Sequence, residues 1–333
     1  MSEDLDRCEA FRSDILAAPD ELAAVLDAQA RAIAELPPDA LARPRWRSIG
    51  MGSSRFAAMD AAARLRADGL DAAAETASAS GPSRGGPDTL SIVVSSSGRT
   101  PEVLAAAERH RAASSFVVAL TARPDSPLAE RADAMLPLVG ARAETAGIAC
   151  LTYRATVAGL RLLADAAAGE VPGAGLAVAV PALDALIRGS GTWLADASDV
   201  LDAGRAVQVL GDGERLGLAD QAALMLREAP RIPAVAFDTG DWLHVGLYTL
   251  FPGDPVLLSG GSPADDEAVA TIRARGGAVV SVGPARGDAD VHVPLPDAAL
   301  EDPAVRALVE PVVAELLAAE LWRRTSAVAR ATT

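Results

Sequence analysis

The chain of 333 residues contains no lysine, and all 30 of its basic residues are arginines. No side chain can therefore form a Schiff base with a carbonyl substrate, which removes one class of covalent catalysis. Cysteine is almost as scarce. Cys8 and Cys150 make no metal-ligand spacing and carry no expected role, so neither a metal nor a cofactor is read from the sequence. Half of the residues are hydrophobic, yet no apolar run is long enough to cross a bilayer, and no membrane partner is expected. The opening residues, MSEDLDRCEAFRSD, lack the pattern of a secretory signal or a basic transit peptide, which makes a cytoplasmic location the expectation. Positive charge is in deficit overall. A net charge of −15 argues against nucleic acid or an anionic membrane as partner. A phosphorylated ligand would need a site built locally for it.

What the chain does have is length for two domains and a repeated alternation of strand and helix patterns. Residues 10–36 read as helical, closed by Pro37, Pro38 and Pro44. Trp46–Gly50 reads as a short strand, and Gly52, Ser53 and Ser54 open a long Ala-rich helix. Further strands are expected near Asp71–Thr76, at Leu90–Val94, at Ser115–Thr121 and at Ala134–Leu138, with helices between them. This alternation predicts an open, parallel α/β sheet that binds ligands at the carboxyl ends of its strands.

Leu90–Leu104, LSIVVSSSGRTPEVL, is the most informative stretch. A largely apolar strand, ending in β-branched Ile92, Val93 and Val94, breaks into Ser95, Ser96, Ser97, Gly98, Arg99 and Thr100. Pro101 then suits the first position of a helix, with Thr100 as its N-cap. Hydroxyls and free N–H groups gathered at a helix N-terminus attract an anion, most often a phosphate. Ser53 and Ser54 stand at a second such turn, where plain capping of the helix is the competing reading. The serines and Gly98 could equally hold a carboxylate.

After Gly169–Gly175, which reads as a domain joint, the pattern begins again. Gly211-Asp-Gly213 follows Gly50-Met-Gly52 by 161 residues, and Ser259-Gly-Gly-Ser echoes the Ser95 region at an offset of 164. Two landmarks at nearly one spacing imply a duplicated domain. The second copy lacks the hydroxyls of Gly50–Ser54, so phosphate binding is expected in the first copy only. The boundaries drawn are a helical segment at 1–40, a first domain at 41–170 and a second at 175–333.

Gly52-Ser-Ser, Ser95-Ser-Ser-Gly-Arg-Thr, Ser126-Pro-Leu-Ala with Ala132-Asp133, and Glu144-x-x-Gly-Ile-Ala together resemble the sugar isomerase (SIS) domain of phosphosugar-binding proteins. In the second half, Gly211-Asp-Gly, Ala222–Glu228 and Asp238-Thr-Gly-Asp-Trp-Leu-His244 lie in matching order. The chain is thus similar to the isomerase half of glutamine–fructose-6-phosphate amidotransferase and to the sugar-phosphate deaminases and deglycases. The resemblance implies two tandem SIS domains, each a parallel sheet flanked by helices in a flavodoxin-like three-layer sandwich. It implies that Ser54, Ser95, Ser97 and Thr100 are phosphate ligands, with Ser53 and Ser96 as neighbouring contacts. Glu228 falls where the family moves a proton between C1 and C2, and His244 where it opens the sugar ring. In the family that histidine comes from the other subunit, so a homodimer is expected, with His244 supplied across its interface.

The residues themselves are compatible with that chemistry, since one carboxylate of raised pKa can carry a proton between adjacent carbons while a histidine serves a ring oxygen or leaving group. The bland readings are a solvated helix-end glutamate and a structural histidine. Gly52, Arg99 and Asp241 are secondary candidates; Arg99 could simply face solvent, and Asp241 and Trp242 could serve a tight turn and packing. Met225 stands where the amidotransferase has a lysine, and the C-terminus lacks that enzyme's Schiff-base lysine. Glutamine-dependent amination is therefore not expected. Two enzymatic readings remain, an aldose–ketose isomerase and an amine-releasing deaminase or deglycase, acting on a phosphorylated sugar or amino sugar. A non-catalytic phosphosugar sensor is the alternative from another class.

Overall fold

The computed structural model describes residues 2–81 and 83–331. Its chain divides into two compact units, one holding residues 19–143 and 151–180, the other residues 1–18, 144–150 and 181–333. The helical pattern at 10–36 forms two helices, Ser2–Leu16 and Ala18–Ala34, rather than one. Pro19 explains the break, because its ring lacks the N–H that a continuous helix would use and crowds the preceding turn.

The first unit is built on β1 (Arg45–Gly50), β2 (Asp71–Thr76), β3 (Thr89–Val94), β4 (Phe116–Thr121) and β5 (Ala134–Pro137). All pairings are parallel, in the order β2-β1-β3-β4-β5. Every residue of β3 is buried, as its apolar, β-branched run foretells for a central strand covered on both faces. From β1 the chain crosses one way to β2, and from β3 it moves the other way to β4 and β5. Right-handed crossovers in opposite directions put helices Ser53–Ala67 and Pro101–Ala112 on opposite faces of the sheet. The direction reverses between β1 and β3, so the two serine-bearing turns meet at the switch point where such sheets open a crevice.

The second unit repeats the plan with β6 (Val207–Gly211), β7 (Ala234–Asp238), β8 (Pro255–Ser259), β9 (Ala278–Gly283) and β10 (Val291–Pro294). Their order is β10-β9-β8-β6-β7, again all parallel. The switch point here lies between β6 and β8. Ladder register sets the correspondence of the copies: Ile49 pairs with Val93 as Leu210 pairs with Leu258, and Val94 with Leu120 as Ser259 with Val282. Gly50 therefore matches Gly211 at the expected offset of 161, but the β3 turn matches the β8 turn at 165. The sequence echo is corrected by one residue, because alike Ser and Gly patterns do not report strand register.

Two loops tie early helices to later chain. Glu21, which is buried, accepts hydrogen bonds from the N–H groups of Gly140, Ala141 (2.8 Å) and Arg142 (2.8 Å). Asp14 does the same in the other unit, for Thr145 N (2.7 Å), Thr145 Oγ1 (2.9 Å) and Ala146 N (3.1 Å).

Candidate functional site

In the first unit the β1 turn presents Gly52 at the N-cap of helix Ser53–Ala67, with a φ of 51° that glycine adopts at little cost. Ser53 and Ser54 thus lie inside the first helical turn and neither is the cap, which corrects the plain capping reading. Gly50 keeps the strand end close to the helix; a Cβ there would stand 2.8 Å from the Ser54 Cβ.

Across the switch point, Ser95 is buried at the end of β3 and its N–H donates to Leu120 O at 3.0 Å. Thr100 occupies the N-cap position of helix Pro101–Ala112, as expected, but its side chain makes no capping bond. Its hydroxyl lies instead 2.9 Å from Ser95 Oγ. Ser97 is exposed and its Oγ accepts from Arg99 N at 3.2 Å, while the Arg99 side chain is on an exposed residue. Among the described residues, the N–H groups of Ser96 and Ser97 donate to no protein acceptor. Two unengaged amides, six hydroxyls within two turns and the N-termini of two helices form a set of donors that can hold an anion.

Sequence reasoning missed what braces that cradle. Gly98 turns at a φ of 62° against Ser126 and Thr121. Leu128 N donates to Gly98 O (3.1 Å), Ala122 N to Ser96 O (3.1 Å) and Thr121 Oγ1 to Ser96 O (3.3 Å). Ser126, which the sequence showed only as part of the Ser126-Pro-Leu-Ala motif, also caps its helix, accepting from Ala129 N at 3.4 Å.

In the second unit Glu228 ends helix Leu216–Glu228. It reaches solvent, yet surrounding protein atoms withdraw enough water from the carboxyl to raise its pKa, against an opposing pull from Arg227. His244 follows the short helix Thr239–Trp242, its N–H bonded to Asp241 O at 2.9 Å and its ring on an exposed residue. Asp241 is exposed and serves the turn, donating its own N–H to Asp238 Oδ1 at 2.8 Å. Trp242 is fully buried and its indole N–H donates to Gln208 Oε1, which pins that turn to β6. Among the described residues no hydrogen bond joins Glu228 to His244. The other two histidines have serine partners within their own units: His110 with Ser91 (2.7 Å) and His292 with Ser281 (3.1 Å). Met225 is fully buried. Cys8 and Cys150 are buried and form no disulfide with each other. No described helix is long and apolar enough to cross a membrane, and no three His, Cys, Asp or Glu side chains among the described residues are grouped to hold a metal.

Residues 44–165 match the family model of the SIS domain. Solved structures extend the likeness over both copies of the SIS fold. Tagatose-6-phosphate ketose/aldose isomerase from Escherichia coli superposes with a TM-score of 0.80 at 18% identity, covering 95% of this chain and 93% of that one. Glucosamine-6-phosphate deaminase from Thermotoga maritima gives 0.74 at 19% identity, covering 95% of each chain. The C-terminal domain of glucosamine–fructose-6-phosphate aminotransferase from Francisella tularensis gives 0.76 at 17% identity, covering 94% and 96%. No curated protein matches the sequence. The SIS resemblance read from the serine turns and the α/β double-domain fold are thus both borne out; at these identities the structural likeness speaks for the fold.

Proposed function

We propose that this chain is a phosphosugar isomerase-type enzyme, acting on a ketose or amino-sugar phosphate by moving a proton between C1 and C2. The cradle of Ser53, Ser54, Ser95, Ser96, Ser97 and Thr100 holds the phosphate, with Gly52 shaping the turn. Glu228 is the general base and acid, and His244 serves the ring oxygen or the leaving amine. The observation that carries this reading is the cradle itself: hydroxyls of two turns at one switch point, beside the unengaged amides of Ser96 and Ser97. The raised pKa of Glu228 supports a role in proton transfer, since a carboxyl titrating nearer neutrality both takes and returns a proton readily. With no lysine in the chain, an amine-releasing reaction would use the nitrogen the sugar already carries. The functional unit we propose is a homodimer.

The test is proton NMR in D₂O with hexose, hexosamine and ketosamine 6-phosphates, comparing the natural protein with Glu228→Gln. Deuterium entering C1 or C2, and ceasing to enter in the variant, is the expected result. The product then separates isomerase from deaminase or deglycase. Binding of phosphosugars without exchange in the natural protein would overturn the catalytic reading in favour of a sensor.

A further inference from the structure

The second switch point is built from the same parts as the first, and strand register tells which residue replaces which. Ser54 corresponds to Arg215 at the offset of 161, and Thr100 corresponds to Asp265 at 165. Two hydroxyl positions of the first cradle are thus an arginine and an aspartate in the second.

Both charged side chains turn back onto the β8 loop. Asp265 is only 4% exposed, and its Oδ2 accepts from Gly261 N at 2.6 Å and Ser262 N at 3.0 Å. These amides are the counterparts of Ser96 N and Ser97 N, which are unengaged in the first cradle. Arg215 donates to Gly260 O at 3.2 Å and pairs with Asp212 at 2.7 Å. Arg306, also buried, donates to the same carbonyl at 2.8 Å and pairs with Glu310, which accepts from Ser259 Oγ at 2.5 Å. The other Asp265 oxygen, Oδ1, is buried with no hydrogen-bond partner. A carboxylate held this way meets two helix-end amides as a bound anion would.

We propose that the second SIS cradle is an anion site which the chain fills with its own Asp265 carboxylate, so that exogenous phosphate is excluded there and each chain holds one phosphosugar. Arg215 and Arg306, each paired with a carboxylate of its own, add guanidinium donors beside that loop. Removing the carboxylate converts the closed cradle into a phosphate site. The comparison with the first cradle rests on reading that one as a phosphate site; the closure of the second rests on its own contacts.

The experiment uses full-length, isotope-labelled protein titrated with inorganic phosphate, following the amide signals of Ser96, Ser97, Gly261 and Ser262. In the natural protein only Ser96 and Ser97 are expected to shift. In Asp265→Ser, Gly261 and Ser262 are expected to shift as well, with at least tenfold tighter phosphate binding at that loop. Asp265→Asn, which keeps an acceptor for the amides, is expected to stay closed. A folded Asp265→Ser protein whose Gly261 and Ser262 ignore phosphate would overturn the proposal, as would saturable shifts of those amides in the natural protein. If Ser96 and Ser97 fail to respond while Gly261 and Ser262 respond in the variant, the first-cradle reading fails and the Asp265 proposal stands. Hydrogen exchange on the natural protein needs no variant: Gly261 and Ser262 amides are expected to exchange at least tenfold more slowly than those of Ser96 and Ser97, and equal rates would contradict the closure.

Discussion

Ser95 and Thr100 meet hydroxyl to hydroxyl at 2.9 Å, joining the buried end of β3 to the start of the helix that follows. That bond orders the loop between them and uses one of the two O–H groups, leaving the other free to donate to an anion. Thr100→Val and Ser95→Ala should each weaken phosphate binding about tenfold or more, the size expected for losing a hydrogen bond to a charged group. Thr100→Ser should largely restore it. Titration calorimetry with a hexose 6-phosphate checks this, and unchanged affinity in both variants would remove the hydroxyls from the site.

Gly98 turns at a φ of 62° with Ser126 packed where a side chain would go. Gly98→Ala should therefore be destabilising by about 1–3 kcal/mol through backbone strain and overpacking. Phosphate affinity should fall in step, because Gly98 O also accepts from Leu128 N. Adding Ser126→Gly to the same protein should recover part of the melting temperature; no recovery would place the strain in the backbone alone.

Burial lowers the pKa of His110, and the neighbouring Arg109 adds to the effect. The neutral ring is the folded form, next to Ser91. The unfolded chain binds a proton near pH 6.5 that the folded protein resists, so stability is full above that pH and declines as pH falls toward the depressed folded pKa. The slope is bounded at about 1.4 kcal/mol per pH unit for one such group. Urea unfolding at pH 7.5, 6.5 and 5.5 should show this decline, and His110→Gln should flatten it; identical slopes would acquit His110.

The proton transfer proposed for Glu228 sets a sign for activity. Its pKa stands above the ordinary glutamate value, raised by desolvation. The acid limb of kcat/KM should then lie above pH 4.5. Glu228→Gln should lose about a thousandfold or more of the rate. A pH profile without an acid limb would assign the base elsewhere.

Glu21 satisfies three consecutive loop amides from the buried face of its helix. Glu21→Ala strands those donors and should cost about 2–4 kcal/mol, by the penalty of unsatisfied buried N–H groups. Proteolysis should quicken within 139–143. An unchanged melting temperature would mean that water replaces the carboxylate.

Much of the fold was legible because its signals are local. Leu90–Val94 is apolar except for Ser91 and ends in three β-branched residues, and the Asp71–Thr76 strand emerged with its expected bounds. The serine turns were visible as breaks between strand and helix. What escaped were relations between distant positions. Ser126, a motif residue in the sequence, proved to be the floor beneath Gly98. The echo of Ser95 in Ser259 was off by one residue, since a Ser-Gly pattern carries no register and hydrogen-bonded ladders do.

By itself the sequence determined the alternation of strands and helices, the hydroxyl-rich turns at the ends of β1 and β3, and a chemistry without lysine. These follow from residue types and near-neighbour spacing, which act wherever the chain goes. Tertiary structure alone decided that residues 2–18 and 144–150 join the second unit, with Asp14 receiving Thr145. It alone decided that Thr100 turns to Ser95 while its counterpart Asp265 turns onto the loop amides. A buried polar group takes whichever partner packing brings within hydrogen-bond reach, and that partner is fixed only when the whole chain has closed around it.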